Sequence, residues 1–256
     1  MRLLYVGAGS HRMHGFIHAE MNIWKEQKLV GKGGSIVPAP EMLCDITDRI
    51  PLADNSVDFI FSRDTLEHLT YRELVNHLLE CYRILKLGGL VRACLPDFDK
   101  HIRDYRSGLM ETGTEFVEPN PDFPVRNFTE YFIYQMMYED HRYLHNEKTM
   151  SDVLALTGFT KMRTRDEGIS QLNLINPQLR EAEAGWQKDH LIIEASKGDI
   201  APTAVRYQRE YPRCLITRLF ARYLNIRVSP FLRNRPMFPT RYWIRDLIRR
   251  VKQKYR

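Results

Sequence analysis

The chain has 256 residues, of which 43% are hydrophobic and 27% charged, and its formal net charge is +6. That is the composition of an ordinary globular protein, long enough to bury a core without disulfide or metal staples, so a small stapled scaffold is excluded. The charge is uneven: residues 201–256 hold fifteen Lys/Arg against Glu210 and Asp246, a net of +13, and residues 1–200 carry −7.

Length and charge together predict one α/β domain over residues 1–200 and a basic extension over 201–256. Cys44, Cys81, Cys94 and Cys214 make no CxxC pair and no zinc-ligand spacing, so no metal is expected and the cysteines read as small buried apolar residues. Met1-Arg2 run straight into Leu3-Leu4-Tyr5-Val6 without the regions of a signal peptide. No apolar run approaches the ~20 residues needed to span a bilayer. The expected location is cytoplasmic, with peripheral attachment at the inner face of the membrane open to the tail.

In chain order, Leu3–Val6 reads as a buried strand feeding the tight loop Gly7-Ala8-Gly9. Residues 15–20 give a second strand ending in Glu20, and residues 25–40, rich in Lys, Gly and Pro, read as a loop. Met42-Leu43-Cys44 is a third strand followed by Asp45, and 57–61 a fourth. Thr70 with Glu73 predicts a capping box for an amphipathic helix over 70–85 that Gly88-Gly89 would end. A fifth strand spans 90–95 and stops at Pro96-Asp97. Residues 98–148, with the aromatic stretch Tyr131–Tyr138, form an insertion placed to cover a substrate. A helix over 148–156 capped by Gly158, then strands at 159–164 and 191–196, antiparallel to each other, complete the domain.

Strands alternating with helices and loops predict a mainly parallel, seven-stranded Rossmann-like sheet. Ligands lie at the carboxyl ends of such strands, and those ends carry Gly7-Ala8-Gly9, Glu20, Asp45, Ser62 and Asp97. Two glycines let a ligand approach where a Cβ would clash, and Glu20 suits a ribose. Arg12 occupies the third glycine position of a dinucleotide fingerprint, so dinucleotide binding is not expected. Candidate bases near the strand ends are His68, Asp64, Asp97 and His141, with His145 one turn further on if that stretch is helical.

The block from Cys44 to Asp97, "CDITDRIPLADNSVDFIFSRDTLEHLTYRELVNHLLECYRILKLGGLVRACLPD", together with "LLYVGAG", resembles the class I, S-adenosylmethionine-dependent methyltransferases. The opening and the later "HRYLHNEKTMSDVLALTGF", His141 to Phe159, are similar to predicted methyltransferases found with polysaccharide and glycan-assembly enzymes. The resemblance covers about residues 1–170. Leu87 stands where the pattern has proline, Glu20 where it has Asp, and only Ser10 to His14 separate the glycine loop from the second strand, so the first helix is reduced or absent.

The resemblance implies S-adenosyl-L-methionine as cofactor. Gly7, Ala8 and Gly9 would line its methionine part, Glu20 bind ribose, and Asp45 accept the adenine amino group beside the Ile46 backbone. Ser62 and Leu66 would line the pocket, and His141, His68 or Asp97 would act as base. The implied function is methylation of a small molecule or glycan, a sugar oxygen in cell-surface polysaccharide assembly above all. Alternatives are an RNA methyltransferase gripping phosphates with the tail, which lacks support from an Asn-Pro-Pro-aromatic motif, and a non-catalytic methyltransferase-like scaffold. In the tail, 213–224 and 241–251 read as basic amphipathic helices. Their apolar faces suit an anionic membrane surface, the body of the domain or a second copy in a homo-oligomer.

Overall fold

The structure, a computed structural model, describes residues 1–9, 11–20, 29–30, 36–37, 40–107, 129–130, 132–133, 141–184 and 190–206. Both expected tail helices, Cys214 and most of the aromatic stretch in the insertion lie outside these residues. The strands are β1 (Leu3–Val6), β2 (Phe16–Glu20), β3 (Leu29–Val30), β4 (Ile36–Val37), β5 (Met42–Leu43), β6 (Val57–Arg63), β7 (Leu85–Pro96), β8 (Phe159–Thr164) and β9 (His190–Lys197). The helices are α1 (Tyr71–Ile84), α2 (Phe98–Ser107), α3 (Glu147–Leu156) and α4 (Asn176–Glu183).

Seven strands form one sheet in the order β5-β2-β1-β6-β7-β9-β8. The pairs from β5 to β7 are parallel, and β9 runs antiparallel to both β7 and β8. This is the Rossmann-like class that the strand pattern predicts. Side-chain alternation sorts the core onto two faces. Leu4, Val6, Ile60, Val91, Ala93 and Leu95 pack with Leu74, Leu78 and Cys81 of α1 and Met150, Val153 and Leu154 of α3. On the other face Leu3, Tyr5, Phe59, Phe61 and Leu90 meet Phe16, Ile175, Leu179 and Ala182.

The capping box is present: Thr70 Oγ1 accepts from the Glu73 N–H, and the Glu73 carboxylate accepts from the Thr70 N–H. Two local expectations are corrected. Helix α1 ends at Ile84, before Gly88-Gly89, and β7 begins at once with Leu85. The glycines serve a bulge instead. Pairing runs Val57 to Leu85 and then Phe59 to Leu90, and Gly88 takes φ +76° in the slack. Residues 25–40 are not wholly loop, because β3 and β4 pair as a short antiparallel ladder. Two-residue strands are too short to leave any alternation in the sequence.

The apolar pattern also hides a charge. Arg92, in the middle of β7, is fully buried. Its Nε and Nη2 donate to the two oxygens of Glu183 at 2.6 and 2.7 Å, and Nη1 donates to Glu194 Oε1 at 3.0 Å. Nη1 and Nη2 also donate to the carbonyls of Ile169 and Asp166 at 2.9 and 3.1 Å. Every guanidinium N–H is thus used, as burial of this group requires. Removing one partner of such a cluster leaves uncompensated charge in the core. Arg92→Ala is expected to destabilise the fold by about 3–5 kcal/mol. Urea unfolding followed by circular dichroism measures this, and an unchanged midpoint would show that the cluster contributes nothing.

Candidate functional site

Because β1, β2, β5, β6 and β7 are parallel, their carboxyl ends share one sheet edge. At the end of β1, Gly7 and Gly9 adopt φ +68° and +51°, where side chains other than glycine are strained. A Cβ on Gly7 would lie 2.1 Å from Thr65 Oγ1, so the loop after β6 packs directly on the glycine. Gly9 is different: a Cβ there would meet nothing within 4 Å. Its N–H donates to Glu20 Oε2 at 2.7 Å, which ties the loop to the end of β2. Ala8, between the glycines, is buried.

The short link to β2 is held by a histidine rather than by a helix; residues 11–15 contain none. His18 Nε2 accepts the Met13 N–H at 2.8 Å, which leaves the proton on Nδ1, 2.8 Å from Glu41 Oε2. Asp45 follows β5, and its Oδ1 accepts from the N–H and hydroxyl of Thr47 at 3.0 and 2.7 Å. The buried Ile46 gives its carbonyl to His77 Nδ1. Ser62 pairs with Val6 in the sheet; its hydroxyl is buried and meets no hydrogen-bond partner among the described residues. Leu66 is buried in the α1-side core.

A second group of side chains follows β6. Leu66–His68 form a 3-10 turn. The Glu67 carbonyl accepts the N–H groups of Arg142 and Tyr143 at 2.8 and 3.2 Å, so residues 141–143 are laced onto the turn. This brings His141 beside His68, with ring centroids 5.0 Å apart. The Glu67 side chain is 1% exposed, and its Oε1 lies 3.9 Å from His68 Nε2. Burial, and then the charge of Asp64, push its carboxyl up to about 8. One donor atom from each of Glu67, His68 and His141 lies within 4.8 Å of the others. Sequence spacing leads to no metal being expected; this cluster forms only because a distant segment folds back.

Asp97 has a structural task. Its Oδ1 accepts the Asp99 N–H at 3.1 Å and its carbonyl the His101 N–H at 3.0 Å, at the start of α2. It also forms an isolated bridge with His145. Residues 141–145 form no helix, so the helical spacing considered for His141 and His145 does not occur. Asp64 sits at φ +48°, with Oδ1 3.0 Å from His190 Nε2. Glu67 and His18 are absent from the sequence-based site. Glu67 sits inside "LEHL", where a short helical turn reads as packing, and no local pattern marks His18 as a loop anchor. A surface depression of about 320 Å³ lined by Met1, Lys86 and Leu172 lies at the opposite end of the strands and is unrelated to these groups.

His145 is fully buried, and burial pushes its imidazole down to about 4. The unfolded chain therefore binds a proton below about 6.5 that the native state refuses until about pH 4. Stability is full above that window and falls as pH drops through it, by at most about 1.4 kcal/mol per pH unit. His145→Leu is expected to flatten this part of the curve. Urea midpoints between pH 7 and pH 4 for both proteins give the comparison, and parallel curves would exclude His145 as the source.

Residues 14–93 match the family model described as a methyltransferase domain. No curated protein matches the chain significantly. Among solved structures, the chain is similar to the CurJ carbon methyltransferase, at 19% identity and TM-score 0.43, covering 78% of this chain and 49% of that one. This chain thus spans about half the length of that protein. It is also similar to a SAM-dependent methyltransferase of Thermotoga maritima, a possible histamine N-methyltransferase, at 16% identity and TM-score 0.44, covering 77% and 82%. A SAM-dependent methyltransferase of Methanosarcina mazei matches at 16% identity and TM-score 0.45, covering 77% and 92%. At these scores the structural likenesses carry no argument about activity. On the sheet topology, the glycine loop and the family match over residues 14–93, the chain carries a methyltransferase domain of the class I, S-adenosylmethionine-dependent type.

Proposed function

We propose that this chain moves a methyl group from S-adenosyl-L-methionine to an oxygen of a small molecule or glycan, the acceptor class being a sugar hydroxyl in polysaccharide assembly. The observation that supports an oxygen acceptor is the grouping of Glu67 and His68, in the turn that follows β6, with His141 from the segment laced onto it, their donor atoms within 4.8 Å. A hydroxyl is a poor nucleophile until a base or a cation takes up its proton or charge. The glycan setting is supported by the resemblance of the 141–159 segment alone.

The residues at the β1 edge fit the cofactor. Gly9 faces open space, so backbone and ligand can approach closely there. Glu20 stands at the end of β2, where a ribose-binding acid belongs, and Asp45 follows β5. The buried Ser62 hydroxyl has an unfilled hydrogen-bond capacity beside the loop. When bound, the cofactor supplies an electrophilic methyl group on a sulfonium. The chain's own residues then bind and orient: Gly7, Ala8 and Gly9 for the methionine part, Glu20 for the ribose, Asp45 and the Ile46 backbone for the adenine, with Ser62 as pocket lining. Leu66, in the core, acts through packing.

Glu20→Ala and Asp45→Ala are each expected to weaken S-adenosylmethionine binding by about 1.5–3 kcal/mol, the usual loss for a hydrogen bond to a charged group. Isothermal titration calorimetry reads this. Wild-type affinity in both variants would remove these carboxylates from the site. Acceptor class is tested separately, by incubating the protein with methyl-labelled cofactor and either glycan intermediates or RNA. Label in a methyl ether of a sugar hydroxyl is expected, and label recovered only in RNA would overturn the glycan reading.

A further inference from the structure

We propose that Glu67, His68 and His141 form a binding site for one divalent transition-metal cation. Three observations converge on these side chains. First, they offer one carboxylate oxygen and two imidazole nitrogens that all lie within 4.8 Å of one another. An ion at the centre of a triangle of that size would sit about 2.8 Å from each donor, against ~2.0–2.2 Å in a formed zinc site, so inward shifts of roughly 0.6–0.8 Å complete the coordination. Side-chain rotation alone supplies shifts of that size.

Second, the Glu67 carboxylate is buried, and its Oε2 has no hydrogen-bond partner among the described residues. A buried carboxylate oxygen left unsatisfied is costly, and a cation beside it removes the cost. Third, the frame is held in place independently of any ion. The Glu67 carbonyl receives two backbone N–H groups from residues 142 and 143, so the turn carrying Glu67 and His68 and the segment carrying His141 are fixed together. The Asp64 carboxylate adds negative charge nearby.

The donor chemistry selects the ion. Two imidazoles with one carboxylate suit zinc, manganese, cobalt or iron in the divalent state; magnesium and calcium prefer all-oxygen sites. Three protein ligands leave positions open, and the His68 side chain is 41% exposed, so the open side reaches solvent. Metal binding stands without the methyl-transfer reading, but the role of the ion rests on it. That role is to lower the pKa of an acceptor hydroxyl. The hydroxyl proton passes to water, the oxygen lone pair forms the O–CH3 bond, and the S–CH3 bond breaks with its electrons left on sulfur.

The test uses the full chain, stripped with a chelator and then titrated with cobalt(II) chloride. Visible absorption reports the coordination, and elemental analysis of the protein as purified reports the native ion. One equivalent is expected to bind, with affinity reduced at least ~10-fold in Glu67→Gln, His68→Ala and His141→Ala. His14→Ala, at an exposed histidine outside the cluster, is expected to bind as wild type. No stoichiometric cobalt binding, or binding that survives in all three cluster variants, would overturn the proposal. Because Glu67 is buried, circular dichroism checks its variant for folding; His68→Ala and His141→Ala decide the matter if Glu67→Gln unfolds. Calorimetry with S-adenosylmethionine on the stripped protein separates the two readings, since cofactor binding without metal binding sinks only the metal site.

Discussion

The buried guanidinium of Arg92 is the contact on which the second half of this fold depends. It stands directly opposite Glu194 in the β7–β9 ladder, so the antiparallel strand is docked by charge as well as by backbone pairing. The same group clasps Glu183 at the end of α4 and the carbonyls of the 166–169 loop. Glu183 and Glu194 in turn accept the N–H groups of Gly168 and Gln171 at 2.6 and 3.1 Å. One side chain therefore assembles a strand, a helix end and a loop on one face of the sheet. An apolar side chain of similar size fills space equally well but gives none of these segments a fixed direction.

That assembly reaches the candidate site. Arg63, the last residue of β6, donates to the Ala182 carbonyl in α4, and the next residue, Asp64, meets His190 at the start of β9. The turn that carries Glu67 and His68 follows at once. The loop after β6 is thus pressed from one side by the Arg92-ordered elements, and on the other its Thr65 touches Gly7. Such double support is what a site needs if its donors are to keep their spacing within fractions of an ångström.

The two halves of the edge differ in how their polar groups are buried and paired. Around β1 and β2 the polar groups are partly exposed and already hydrogen-bonded to one another, as Glu20 to Gly9 and Asp45 to Thr47. In the proposed reading, a cofactor hydroxyl or amine joins this set. After β6, by contrast, a carboxylate is buried with an oxygen unpartnered among the described residues and two imidazoles beside it. The two halves therefore differ in desolvation, which raises the Glu67 carboxyl and leaves the groups around β1 and β2 in contact with solvent.

Much of this was legible in the sequence because it is local. Largely apolar runs marked β1, β6, β7 and β9, the Thr70/Glu73 pair marked the start of α1, and Gly7 and Gly9 marked the loop where φ turns positive. Even so, boundaries slipped where tertiary pairing decided them, as at Gly88-Gly89, whose turn chemistry serves a bulge inside a strand rather than a helix end. Three things were beyond the sequence. Arg92 reads as a polar interruption of an apolar strand, since its partners lie in α4, β9 and a loop. The capping of α2 by the Asp97 carboxylate and the burial of His145 depend on a backbone bridge between segments distant in the chain. Lastly, His141 meets Glu67 and His68 only because the Glu67 carbonyl captures two N–H groups from its segment. Local sequence carries periodicity and turn chemistry, and these determined the sheet and its glycine loop; the partners of buried charges are set by which distant segments pack together, and only the tertiary structure decided those.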